Sequence, residues 1–259
     1  MKYAISVTDT KKVNEIEDKG KQVLNALNDY IPKLEQLTKV EQPRGMVFHD
    51  FSSATELYSD IPIPAYTSRD LIHLNPEPSV WKEIFLSTVI PEKMGEVYDY
   101  YRETSVREVA MIAAHEWTHH AEFFHDDFEG DEENMWFEEG MCEYIPRTFM
   151  LDEQERVRLS SVEYELIQFY KSEFGEYPLE NFGQAGYRKG NNELFTAAFY
   201  DYWRSAWVVE RLVVDYFDGD LTPLIQLYQS WDQSQPLHDF FIEELHISDR
   251  TARELWLKK

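Results

Sequence analysis

A His-Glu-x-x-His motif at residues 115–119 constrains this chain more than any other feature of its sequence. The four-residue spacing of His115 and His119 places two imidazole rings one helical turn apart on the same side of a helix. There both rings can bind a single tetrahedral Zn²⁺ through neutral ring nitrogens. Glu116 lies on the adjoining face, which suits a residue that accepts a proton from water and is not a ligand. The motif is typical of zinc hydrolases, although a buried helix can also hold two such histidines as core residues.

The residues before the motif predict the helix that carries it. Ser105 followed by Glu108 has the pattern of a capping box, in which the two side chains satisfy backbone N–H groups at the start of a helix. The stretch from Val106 to Ala114 is rich in apolar side chains and contains neither Gly nor Pro. We therefore expect one regular helix from this cap to the motif.

A zinc site of this kind needs a third protein ligand, and two residues compete for the position. His125 lies six residues after His119, which is the spacing of a HExxHxxGxxH pattern. Glu122 stands where that pattern has Gly, and a side chain there disfavours the positive φ that the turn requires. The other candidate is Glu139, twenty residues beyond His119.

The segment around Glu139 carries a family resemblance. Residues 136–140, Trp-Phe-Glu-Glu-Gly, resemble the Trp-Leu-Asn-Glu-Gly segment of the gluzincin zinc metallopeptidases, the superfamily of aminopeptidase N and thermolysin. The resemblance implies that Glu139, on a second helix antiparallel to the first, is the third zinc ligand. Glu138 replaces the Asn, and the spacing from the motif is one residue longer than usual. Glu143, one turn further on, takes the place of a carboxylate that accepts the second ring N–H of a zinc-bound histidine. The resemblance thus favours Glu139 over His125.

A tyrosine further along the chain extends the resemblance. Apolar residues at spacings of three and four predict a long helix from Phe195 to Phe217, with Tyr202 on its apolar stripe. In the aminopeptidase N group a Tyr-x-Lys-Gly segment opens such a helix, and its tyrosine stabilises the oxyanion. Tyr202 begins a similar segment in which Arg204 replaces the Lys and Ser205 the Gly. The resemblance implies that role for Tyr202, or for Tyr200 if the register differs. A core aromatic at Tyr202 and a salt bridge at Arg204 are the alternatives.

The order of these patterns predicts an α+β fold. We expect it to be mostly helical, with a small N-terminal mixed sheet and a helical C-terminal lobe, as the resemblance to the metallopeptidase-like (zincin) fold implies. Residues 1–103 should form an N-terminal α/β lobe, and residues 104–259 the zinc-site helices and the C-terminal lobe, together one catalytic domain. Val13 to Leu37 predicts one or two helices broken near Pro32.

Two short strands are predicted in the N-terminal lobe. They cover Gly45 to Asp50 and Asp70 to Asn75. The resemblance implies that Leu71 to Leu74, within the second, is an edge strand of the cleft which pairs with an extended substrate through main-chain hydrogen bonds. The alternative is an ordinary interior strand.

Composition excludes several classes of function. The chain has 259 residues, of which 43% are hydrophobic and 15% aromatic, so it can bury a sizeable core. It contains no apolar run near the roughly twenty residues of a membrane span, and no signal peptide is evident. We expect a soluble, cytoplasmic protein, or a secreted one that has lost its leader. The formal net charge of −24 repels phosphate backbones and anionic lipid surfaces, so we expect neither nucleic acid nor a membrane as a partner. Cys142 is the single cysteine, which rules out an intramolecular disulfide.

The motif and the family resemblance together predict zinc-dependent hydrolysis of peptide bonds. One Zn²⁺ per chain would be held by His115, His119 and, as the resemblance implies, Glu139, with Glu116 as general base and Tyr202 at the oxyanion. The substrate would be a peptide or protein. The Gly-x-Met-Glu-Asn segment with which the aminopeptidase N group binds an amino terminus is missing, which favours an endopeptidase or oligopeptidase. The alternatives are a degenerate peptidase-like protein that binds metal or peptide, and a hydrolase of a non-peptide substrate.

Overall fold

The protein is mostly helical and contains one small mixed sheet. The computed structural model describes residues 1–59, 63–125, 134–175, 177–183 and 193–256. The chain forms two compact units, one of Met1–Glu122 with Ile145–Arg156 and the other of Phe123–Tyr144 with Val157–Lys259. The predicted α+β class is confirmed.

Four strands form the sheet in the order β1-β2-β4-β3. They are β1 (Tyr3–Ser6), β2 (Gly45–His49), β3 (Ala65–Thr67) and β4 (Leu71–Leu74). Strands β1, β2 and β4 are mutually parallel, and β3 pairs antiparallel with β4. Both predicted strands are confirmed, β2 ending one residue earlier than expected and β4 being one residue shorter at each end.

The strand order shows whether Leu71–Leu74 is an edge strand or an interior strand. Strand β4 pairs with β2 on one side and with β3 on the other, so it is an interior strand and the prediction of a cleft-edge strand at Leu71–Leu74 is wrong. The physical reason is the tight turn after β3, in which the N–H of Ser68 donates to the carbonyl of Leu71 at 2.9 Å and folds β3 back onto β4. Within the described residues the edges of the sheet are β1 and β3.

The first unit contains four described helices, namely α1 (Val13–Leu37), α2 (Pro78–Leu86), α3 (Gly95–Arg102) and α4 (Val106–Thr118). Helices α1 and α4 pack against the sheet. Helix α1 packs against α4 and lies close to β2, where the Phe48 ring fits against Gly20. A break near Pro32 was expected and does not occur. Leu27, Tyr30 and Leu34 are buried on both sides of the proline, and this packing holds the helix together despite one missing backbone donor.

Six further helices follow α4 in the described part of the chain. They are α5 (Met135–Met150), α6 (Glu153–Phe174), α7 (Glu193–Phe217), α8 (Leu221–Ser230), α9 (Leu237–Glu244) and α10 (Asp249–Trp256). The long helix predicted from Phe195 to Phe217 is confirmed as α7. Aromatic rings at the start of α5 build a core, with Trp136 against Trp256 and Phe137 against Tyr228 and Phe241.

The compact units divide the chain elsewhere than the predicted boundary after residue 103. Helix α4 belongs to the same unit as the sheet. The prediction that both stretches form a single catalytic domain stays a prediction. None of the helices described is both long and apolar enough to cross a lipid bilayer.

Candidate metal centre

The helix that carries the motif begins with the predicted capping box. The Ser105 hydroxyl accepts a hydrogen bond from the backbone at the start of α4, and the Glu108 carboxylate accepts one from the Ser105 N–H at 2.7 Å. The helix ends at Thr118, and His119 follows as its C-cap with φ −55° and ψ −21°. Because His119 keeps helical dihedral angles, it stays in line with His115 one turn earlier.

The two motif histidines face each other. Their Nε2 atoms lie 3.2 Å apart, and the ring planes are inclined by 71°. His115 is buried and His119 is half-buried. Two atoms bound to zinc at about 2.0–2.1 Å in tetrahedral geometry lie about 3.3 Å apart, so the spacing of the imidazole nitrogens fits two positions of one metal.

Glu139 joins this pair. One carboxylate oxygen of Glu139 and one ring nitrogen from each of His115 and His119 all lie within 4.8 Å of one another. The Glu139 side chain is buried, with 8% of its surface exposed. Two imidazoles and a carboxylate are a ligand set that zinc takes in catalytic sites, so the residues present fit the ion that the motif implies.

The competing third ligand, His125, is engaged elsewhere. Its Nε2 lies 3.2 Å from the carbonyl oxygen of Tyr228, and its backbone N–H donates to the Tyr228 hydroxyl at 3.2 Å. The imidazole also contacts the rings of Tyr228 and Trp231. His125 is absent from the group of potential metal ligands found among the described residues.

Two further carboxylates lie on the helices that carry the ligands. Glu116 is buried in the last turn of α4, next to His115. Glu143 is half-buried, one helical turn after Glu139 on α5. Their predicted roles, as general base and as partner of a ligand imidazole, stay predictions.

The tyrosines proposed for the oxyanion both lie on α7. Tyr202 is half-buried, with its ring edge-on to Phe182. Tyr200 is buried among aromatic rings, near Phe174 and Tyr177. The oxyanion role of Tyr202 or Tyr200 stays a prediction. The salt bridge considered for Arg204 is confirmed, because its guanidinium lies 3.5 Å from the Asp201 carboxylate.

That ion pair belongs to a buried network that was not predicted from the sequence. Asp201 accepts hydrogen bonds from the Tyr177 hydroxyl and from the Gly183 N–H at 3.0 Å. Arg204 donates to the Tyr177 carbonyl at 2.7 Å and stacks over the Tyr177 and Tyr200 rings. Burial raises the pKa of Asp201 and, with the Asp201 charge, that of Tyr177. The i,i+3 spacing of Asp201 and Arg204 was the available signal.

A second unpredicted network lies on the sheet, on the face away from α1. His49 contacts the Ser53 hydroxyl through Nδ1 and His73 Nδ1 through Nε2, each at 2.9 Å. The Tyr66 ring stacks on His73. Burial, and then the neighbouring His73, lowers the pKa of His49 to about 4. Burial also lowers the pKa of His73. No spacing in the sequence predicts that the two imidazoles meet.

The chain that leaves α4 is held in place by a short antiparallel bridge. Val40 pairs with Ala121, the Glu41 N–H donates to the His120 carbonyl, and the Glu122 N–H donates to the Lys39 carbonyl, each of these two bonds at 2.8 Å. The side chain of His120 turns towards the sheet, where its Nε2 lies 2.9 Å from the Thr67 hydroxyl. Burial, and then the charge of His119, lowers the pKa of His120 to about 4.

The arrangement of His115, His119 and Glu139 defines a candidate three-ligand metal site of the two-histidine, one-carboxylate class. Compared with known proteins, the chain matches no family model, and no curated sequence or solved structure is significantly similar to it.

Proposed function

We propose that this protein is a zinc-dependent hydrolase of peptide bonds with a gluzincin-like site and a zincin-type fold. The observation that carries the proposal is the convergence of His115, His119 and Glu139, since one carboxylate oxygen and two ring nitrogens lie within 4.8 Å of one another. These three residues would hold one Zn²⁺ per chain and leave a position for water.

When bound, zinc would supply Lewis acidity, which acidifies water and polarises the scissile carbonyl. Glu116 would accept the proton of the attacking water and then return it to the leaving amine. Its place in α4, directly after His115 and mostly out of bulk solvent, supports a proton carrier beside the ligands. Tyr202, or Tyr200 one half-turn earlier, would donate a hydrogen bond to the developing oxyanion.

The metal part of the proposal is tested by the zinc content of protein purified without added metal. We expect about one zinc per chain in the wild type, retained in His125→Ala and lost in Glu139→Ala. His125→Ala is the matched control, because it removes the competing ligand candidate. Loss of zinc from His125→Ala alone, or no zinc in the wild type even after zinc is added, refutes the site.

The catalytic part is tested with a peptide library and Glu116→Gln. This variant should keep its zinc and lose hydrolysis by a factor of at least about 10². Cleavage within peptides is expected, without a requirement for a free amino terminus. Unchanged hydrolysis in Glu116→Gln would exclude Glu116 as the base.

A zinc-loaded wild type that binds peptides without cleaving them would instead establish a degenerate, peptide-binding relative. The confinement of Arg204 in a buried ion pair with Asp201, at the position where the resemblance has a Lys, is the observation that favours this second function.

A further inference from the structure

The motif helix α4 ends inside the motif itself. Its last residue is Thr118, and the second motif histidine, His119, is already the C-cap. The next two N–H groups, those of His120 and Ala121, donate to carbonyls three residues back, at 3.2 Å and 2.9 Å, so the chain tightens at this point. Helix ends fray unless other parts of the fold hold them. The place of the His119 imidazole beside that of His115 therefore depends on what holds the residues around it.

A buried pair of hydroxyl groups lies at this end of the helix. Thr118 and Tyr30, which lies on α1, are both fully buried, and their side-chain oxygens are 2.5 Å apart. The Thr118 hydroxyl also donates to the carbonyl of Ala114, one turn earlier on α4, at 2.6 Å. Because a threonine hydroxyl has a single proton, the Tyr30 hydroxyl must donate to Thr118. This hydrogen bond joins α1 to the last residue of the motif helix.

The residue on the other side of His119 is also held from outside the helix. The carbonyl of His120 accepts a hydrogen bond from the Glu41 N–H at 2.8 Å, in the extended segment that follows α1. The His120 ring has its Nε2 2.9 Å from the Thr67 hydroxyl. The bond from Tyr30 is the one of these contacts that reaches the helix itself, within the turn that carries both motif histidines.

We propose that Tyr30 is a positioning residue of the metal centre, which acts through Thr118 to keep the last turn of α4 helical and the His119 imidazole facing that of His115. The inference rests on the proposed function and names a residue that supports its metal site without being a ligand. The Nε2 atoms of the two histidines lie 3.2 Å apart, at the separation that one metal requires. Ligands already held at this separation need little ordering when metal binds, so loss of the Tyr30 hydroxyl should weaken metal affinity.

The test measures zinc affinity and cobalt absorption in the full chain. Zinc Kd is obtained by competition with a chromophoric chelator at fixed pH. Tyr30→Phe removes the hydroxyl and keeps the ring that packs beside Phe149, and we expect the zinc Kd to rise about threefold to tenfold. Co²⁺ accepts the same imidazole and carboxylate ligands, and its visible absorption depends on the geometry of the ligands. The absorption band of the Co²⁺-loaded protein should therefore shift or lose intensity in Tyr30→Phe.

Variants of Thr118 probe the same hydrogen bond from its other end. Thr118→Val removes the hydroxyl at nearly constant volume and should raise the zinc Kd at least as much as Tyr30→Phe. Thr118→Ser keeps the hydroxyl and should bring the zinc Kd to within about twofold of the wild type. The double variant Tyr30→Phe/Thr118→Val should bind zinc no more weakly than Thr118→Val alone, because both changes remove the same hydrogen bond.

Tyr66→Phe is the matched control for the loss of a tyrosine hydroxyl. The Tyr66 hydroxyl donates to the Ala54 carbonyl at 3.2 Å, and its ring stacks on His73, away from the motif helix. This variant should also lower the free energy of unfolding, but it should leave the zinc Kd and the Co²⁺ band unchanged. Urea unfolding of each zinc-free variant verifies that the protein is folded where the zinc Kd is measured.

Three results would overturn the inference. They are an unchanged zinc Kd and Co²⁺ band in Tyr30→Phe, zinc binding by Thr118→Ser as weak as that by Thr118→Val, and a rise in Kd for Tyr66→Phe equal to that for Tyr30→Phe. Failure of the proposed function is distinguishable. Zinc binding without hydrolysis in the wild type refutes that function and leaves the role of Tyr30 standing, whereas absent zinc in the wild type overturns both.

Discussion

Gly140 is the position where a single methyl group should disturb the candidate site most. It follows Glu139 on α5, and helix α7 passes directly against it. A Cβ built on Gly140 would lie 2.7 Å from the carbonyl oxygen of Ser205, 2.7 Å from Cγ2 of Val209 and 2.9 Å from the carbonyl carbon of Ser205. Two of these three atoms belong to the backbone and cannot rotate away, so Gly140→Ala requires α5 and α7 to separate locally.

The expected cost follows from two opposing effects. Overpacking of a tight contact destabilises by about 1–3 kcal/mol, and the rigid backbone neighbours place this site near the upper end. Replacing Gly by Ala within a helix contributes about 1 kcal/mol in the opposite direction. We expect a net loss of about 1–2 kcal/mol in the free energy of unfolding, and a fall in Tm of roughly 2–6 °C. Zinc affinity should also fall, because Glu139 moves with the helix.

Urea unfolding and thermal melts of zinc-free protein measure the change in the free energy of unfolding. A zinc titration measures the change in zinc affinity. Gly95→Ala is the matched control. It also lies in a helix, at the start of α3, but its added Cβ meets no atom within 4 Å, so stability should stay equal or rise by up to about 1 kcal/mol. If Gly140→Ala were as stable as the wild type, the close approach of the two helices would be refuted.

Three other predictions follow from buried polar groups and a cap. Since the pKa of His49 is about 4 in the folded protein and near 6.5 when unfolded, the unfolded chain binds more protons between these values. The contribution of neutral His49 to the free energy of unfolding should be fully present above about pH 6.5. The free energy of unfolding should fall by up to about 3 kcal/mol as the pH drops to about 4. Urea midpoints at pH 7 and pH 4.5 should show a smaller loss in His49→Gln, and an equal loss would contradict the assignment. Asp201→Ala leaves the buried Arg204 guanidinium without its carboxylate partner and should lower the free energy of unfolding, measured in urea, by about 3 kcal/mol or more. Tyr177→Phe should lower it by about 1 kcal/mol. A cost for Asp201→Ala no larger than that of Tyr177→Phe would argue against the ion pair. Ser105→Ala removes half of the capping box and should lower the free energy of unfolding by about 1 kcal/mol, while the exposed Ser172→Ala, outside any cap, should be nearly neutral.

Local sequence patterns predicted several elements of this protein and the two histidines that face each other in its candidate metal centre. The capping box, the helix α4 and the facing of His115 and His119 depend on neighbours three and four residues apart, and these relationships hold wherever the helix is placed. Strands β2 and β4 and helix α7 were likewise readable from short-range periodicity.

Tertiary structure decided what depends on the path of the chain between elements. The resemblance of residues 136–140 favoured Glu139 over His125 as third ligand, but the approach of Glu139 to the histidine pair and the contact of His125 with Tyr228 depend on packing. The interior position of β4 depends on β3 folding back, and the uninterrupted α1 depends on side chains buried on both sides of Pro32. Such contacts join residues far apart in sequence, and their free energy appears only once the chain has folded, so no local pattern encodes them.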